Sequence, residues 1–98
     1  MKVIYKYEIH EGVNKVLLPE GADVIHGGWQ EAQNIIAIWA VVDPNREKEM
    51  RTFLLWNTGT HLPDSTEYDQ HWHVSTFFMH EFVFHIFEVR SGVIGYGR

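Results

Sequence analysis

The sequence predicts an all-β fold, a compact antiparallel sandwich or small barrel of about seven strands. Three observations carry this. Apolar residues recur with a period of two along most of the chain, the spacing of a strand with one face buried. Clusters rich in Gly, Pro, Asn and Asp interrupt these runs at short intervals, as turns between strands do. No stretch places apolar residues at helical spacing over a useful length.

The elements follow in order. Val3, Tyr5, Tyr7 and Ile9 alternate with Lys2, Ile4, Lys6 and Glu8 to make a first strand. Glu11 to Asn14 reads as a turn, and Lys15 to Leu18 as a short second strand closed by Pro19, Glu20 and Gly21. Proline presets φ for such a turn, and glycine accepts the positive φ that follows. Ala22 to Gln30 forms the third strand, with Gly27 and Gly28 in its middle. Glycine there marks a bulge or a close approach by another segment, and a bulge is the expectation. Asn34 to Val42 is the clearest strand. Ile36, Ile38, Ala40 and Val42 share one face and Ile35, Ala37, Trp39 and Val41 the other, which predicts cover on both sides. After a turn at Asp43 to Arg46, Glu49 to Trp56 returns as its partner, with Met50, Thr52, Leu54 and Trp56 opposed to Arg51, Phe53, Leu55 and Asn57. Asn57 to Gln70 is a long loop, beyond the usual length of a hairpin connection. His71 to Met79 and Phe82 to Val89 are the sixth and seventh strands, the last apolar on both faces.

A chain of 98 residues holds one domain, assigned to residues 1–90, with a glycine-rich tail at 91–98. A net charge of −5 argues against binding polymeric nucleic acid, which needs clustered Lys and Arg. The absence of cysteine removes disulfides, thiolate metal sites and cysteine nucleophiles. No apolar run is long enough to span a bilayer, and the alternating start of the chain does not read as a signal peptide, so a small soluble domain with no membrane association is expected. Strands apolar on both faces, in so small a domain, predict a homo-oligomer.

Seven histidines invite a metal reading. His71 and His73 are two apart and share a strand face about 7 Å apart, and His61, His10 or Glu81 could add a third ligand. The pair lacks the nearby carboxylate and glycine framing of a cupin site, so no metal and no cofactor is predicted, and packing of His71 and His73 on the sheet beside Trp72 is expected instead. His80 and His85, five apart on a strand, do not form the zinc-peptidase pattern, which needs two histidines four apart on a helix. Ser65, Ser75 and Ser91 carry no glycine-framed elbow. The predicted role is therefore binding, not catalysis.

Aromatic residues make up 14% of the chain, enough to offer planes on which a nucleobase could stack. Arg46, Arg51, Arg90 and Arg98 offer planar forks for phosphate or carboxylate. Around the loop after the fifth strand, Gly59 lets backbone approach a ligand, Thr58 and Thr60 bring hydroxyls, and His61 brings an imidazole. The expected site comprises Arg51, Trp56, Thr58, Gly59, Thr60 and His61, with Trp29 and Trp72 as further stacking planes, and the expected ligand is a small anionic nucleotide-like molecule.

Several segments together resemble a family of short phage- and prophage-encoded β domains of unknown function. They are the opening Lys2 to Ile9, the Leu18 to Ala22 turn, Ile38 to Pro44, Arg51 to Phe53, the Thr58 to Pro63 loop, and Val83 to Glu88. The relatives' loop reads Gly-Thr-Gly-His-Pro; here Leu62 stands between His61 and Pro63. The resemblance implies a viral or prophage source and the host cytoplasm, and no activity. By analogy of setting, it suggests a phage protein that sequesters a cyclic nucleotide immune signal of the host. The alternatives are a protein-interaction module capping a host or phage protein through a sheet edge, and a small metal-dependent enzyme using His71 and His73.

Overall fold

The computed structural model describes residues 1–62 and 71–89, which form seven strands: β1 (Val3–Ile9), β2 (Gly12–Pro19), β3 (Asp23–Gln30), β4 (Ile35–Val42), β5 (Lys48–Asn57), β6 (His71–Met79) and β7 (Phe82–Val89). The far part of the long loop, with Ser65, and everything from Arg90 on, including Ser91, Arg98 and the predicted tail, lie outside the described residues. All strand pairings are antiparallel. They build a three-stranded sheet in the order β1-β4-β3 and a four-stranded sheet in the order β2-β5-β7-β6. The two sheets stack and do not close into a barrel, so the fold is the sandwich of the two predicted alternatives.

The period of two does the sorting, because successive strand side chains point to opposite faces. Ile9, Ile38, Ala40 and Val42 from one sheet meet Leu18, Phe53, Leu55 and Ile86 from the other in a buried core. Tyr7, Val16, Val24, Val74, Phe77 and Met79 pack around it. Fully burying a side chain of this size contributes about 1.5–3 kcal/mol, which makes this row the main source of stability.

Three features differ from the sequence reading. First, β4 and β5 are not partners: β4 pairs with β1 and β3, and β5 with β2 and β7. The turn at Asp43 to Arg46 carries the chain from one sheet to the other, and so does the turn after Pro19. The two turns are clipped together by the Glu20 N–H donating to Glu47 O at 2.7 Å. Second, β2 starts at Gly12, inside the segment read as a turn. Asn14 ties that corner by accepting from the His10 N–H at 2.8 Å and donating to His10 O at 2.7 Å. Third, no described element lies over the outer side of β4. Ala37 is buried there within its own sheet, while Trp39 is half-buried beside the His26 ring at 5.7 Å.

The register shift in β3 falls between Val24 and His26, just before the two glycines. Gly27 serves a close approach: a Cβ built there would lie 2.5 Å from Ile86 Cδ1 of the facing sheet. At the same place Ser75 donates its hydroxyl to Gly27 O at 2.6 Å. A second shift, between His73 and Ser75, leaves Val74 as an extra residue in β6. Such a bulge reverses the side on which the preceding residues point.

Candidate functional site

The outer face of the four-stranded sheet carries two cross-strand rows. Val13, Leu54, Phe87 and His73 stand opposite one another in one row, and Trp56, His85 and Thr76 in the next. Leu54 is only 4% exposed although it belongs to this outer face, so its neighbours form a local apolar floor. Beyond Trp56 the chain turns at Asn57 to Thr60. Gly59 takes φ 92°, and the turn is closed by the Thr60 N–H donating to Asn57 O at 3.0 Å. The Thr58 N–H donates to Val83 O at 2.8 Å, which fixes the loop to the start of β7. Between loop and sheet lies a cleft of about 300 Å³ lined by Trp56, Asn57, Thr58, Gly59, Thr60, Leu62, His85 and Phe87.

The polar wall of this cleft is one end of a hydrogen-bonded chain. Thr58 Oγ1 lies 2.6 Å from His85 Nε2, His85 Nδ1 lies 3.0 Å from Thr76 Oγ1, and Thr76 Oγ1 lies 2.8 Å from His73 Nε2. The Val74 bulge makes the last link possible. His73 and Thr76 are three apart and would face opposite ways on a regular strand; the extra residue brings both to the outer face. His71 and His73 both present their rings to Phe87, with centroids at 4.9 and 5.6 Å in edge-on geometry.

A family model described as "Domain of unknown function (DUF7352)" matches residues 1–94. The chain belongs to the DUF7352 family. No curated protein and no solved structure shows significant similarity to it.

In this DUF7352 domain four of the sequence-selected residues, Trp56, Thr58, Gly59 and Thr60, converge on one cleft. His61 stands in the loop between the lining residues Thr60 and Leu62 and is not itself part of the wall. Arg51 does not reach the loop. It lies on the inner face of β5 with Phe53 and Leu55, where its Nε and Nη2 donate to Glu88 at 2.6 and 3.0 Å and its Nη1 donates to Ala22 O at 2.6 Å. The hydrogen bond to Glu88 holds the guanidinium pKa above its ordinary value, outweighing the opposing effect of burial. The strand alternation that puts Trp56 outside puts Arg51 inside, so the expected phosphate contact is used to fasten the fold.

Trp29 also lies away from the cleft. It packs on the His80 ring at 4.8 Å and donates its indole N–H to Asn34 Oδ1 at 3.1 Å. Trp72 is paired with Glu88 in the ladder, on the side of β6 opposite to His71 and His73. Among the described residues, no group of three His, Asp or Glu is arranged to hold a metal ion, and His10 is instead 3.7 Å from Glu8 at the β1–β2 corner. The sequence reading missed His85 and Phe87 as site residues. Their signal was present: both alternate on the same face of the last strand, ahead of the glutamate that receives Arg51.

Proposed function

We propose that the outer-face cleft binds a small planar molecule with a hydrogen-bonding edge, a nucleobase-bearing ligand, and that the domain acts by holding it. One observation carries the reading: the Thr58–His85 pair sits on the rim of a cleft whose other walls include the rings of Trp56 and Phe87. A flat apolar wall with a few fixed polar groups is the usual form of a small-ligand site, and this volume is at the lower end of the range for such sites. Stacking of a base on one aromatic plane contributes about 1–3 kcal/mol. With Arg51 committed to Glu88, the base, not a phosphate, is the part of the ligand this cleft recognises. In its setting, we read the protein as a phage product of the bacterial cytoplasm that sequesters a cyclic nucleotide signal as a homo-oligomer.

Calorimetry against cyclic di- and trinucleotides, cyclic ADP-ribose isomers and free nucleosides tests this. One member of the panel should bind, and Trp56→Ala should weaken it at least tenfold. Failure of the whole panel, with a host protein co-purifying, favours the second reading, a protein-contact module. The observation behind that reading is the exposed pair Leu17 and Met50, cross-strand neighbours on the outer face beside the free edge of β2.

A further inference from the structure

We infer that Thr76 and His73, which do not line the cleft, fix the proton order of the cleft wall so that Thr58 faces a ligand as a hydrogen-bond acceptor. The inference rests on the small-ligand reading and narrows it to ligands that present an N–H donor, such as an amino-bearing base. The argument begins with counting protons. Each threonine hydroxyl has one, and each neutral imidazole has one to share between two nitrogens. Thr76 Oγ1 contacts His73 Nε2 and His85 Nδ1 together, and with one proton it can donate to only one of them. A continuous chain therefore runs either toward His73 or toward Thr58; if both imidazoles donate to Thr76 instead, His85 Nε2 is bare and Thr58 still donates to it.

The distances fit the first. An N–H···O bond is most often about 2.9–3.0 Å long, and an O–H···O bond about 2.7–2.8 Å. The central link is 3.0 Å and suits an N–H donor, while the outer two, at 2.6 and 2.8 Å, suit hydroxyl donors. Thr58 thus donates to His85 Nε2, His85 donates from Nδ1 to Thr76, and Thr76 donates to His73 Nε2. With its proton committed to His85, Thr58 Oγ1 has lone pairs alone to offer the cleft. In the reverse order His85 would donate to Thr58, and the threonine proton would turn outward as a donor. Thr76 and His73 are positioning residues: they act on the ligand through His85.

The test uses the full chain with ¹⁵N-labelled histidines, at mildly alkaline pH where imidazole is ordinarily neutral. Nitrogen–proton correlation spectra should show His85 protonated at Nδ1 and bare at Nε2. Thr76→Val keeps the β-branched shape but deletes the hydroxyl, and should move His85 toward the Nε2–H form. Paired titrations with adenosine and with purine riboside, which lacks only the amino group, then read the cleft. The unchanged protein should prefer adenosine by about threefold to tenfold, the range of one hydrogen bond. Thr76→Val should bring the ratio close to one. A His85 protonated at Nε2 in the unchanged protein overturns the inference, and so does an adenosine preference that survives Thr76→Val. If the tautomer is as stated and neither nucleoside binds, the proton order stands and the base-binding reading falls.

Discussion

Arg51 and Glu88 lie on neighbouring strands two positions out of register, and their side chains meet inside the sandwich in a two-point ion pair at 2.6 and 3.0 Å. Their side chains are 16% and 5% exposed, so this is a pair largely removed from water. Breaking such a pair from one side leaves a buried charge and costs about 3–5 kcal/mol. Arg51→Ala should therefore lower the unfolding free energy in urea by about 3 kcal/mol, and Arg51→Lys by less, since lysine keeps the charge and loses the fork. A loss under about 1 kcal/mol for Arg51→Ala would mean that the pair behaves like a surface bridge.

Gly27 gives a second prediction. Gly27→Ala drives a methyl against Ile86 Cδ1, the end of a fully buried side chain, and should cost about 1–3 kcal/mol. Ile86→Val removes that atom and should recover part of the loss when combined with Gly27→Ala. Additive losses in the double variant would show that the crowding lies elsewhere.

Tyr7 gives a pH dependence. Its pKa is raised, first by burial and then by the neighbouring Tyr5. A phenol whose folded pKa exceeds its unfolded value holds its proton longer when folded, so its contribution is complete below the unfolded value and declines as pH rises through the folded one. Stability should fall above about pH 10, and Tyr7→Phe should lose less over the same interval. An identical decline in both proteins would assign the effect to other groups. Arg51 adds no slope near neutrality, because its raised pKa lies far above that range.

Assembly is the fourth prediction. Leu17 and Met50 are 52% and 56% exposed side by side on the outer sheet face. Light scattering at micromolar concentration should give a mass above the 11.5 kDa of one chain. Leu17→Lys with Met50→Lys should return the monomer with its β circular dichroism intact. A monomeric unchanged protein would remove the proposed contact.

Much of the fold was legible because alternation is a local signal. The limits of β6 and β7 and the inward set Val3, Tyr7 and Ile9 follow from it directly, although Tyr5, of the same parity, stays exposed at the sheet edge. Strand partners were less legible: the turn between β4 and β5 looks like a hairpin turn, and only packing tells whether the chain stays in one sheet or crosses to the other. The candidate site divides the same way. Trp56, Thr58, Gly59 and Thr60 are near in sequence and came together, whereas His85, whose face alternation does give, and Thr76 reach them through ladder register, which alternation alone does not give. Arg51 shows a misuse of legible information, since its strand parity already separated it from Trp56.

Val74 sets a phase for everything before it in β6. Deleting that one residue would leave a regular strand with His73 still opposite Phe87, whereas a slip that pairs Val74 with Phe87 would turn His71 and His73 toward the core and Trp72 toward the outer face. In the slipped register the Thr76–His85 contact would survive and its continuation to His73 would vanish. A single-codon deletion of Val74, which alters no residue of the cleft, would thus keep the relay on a bulge-free strand and remove the residue that the slip requires.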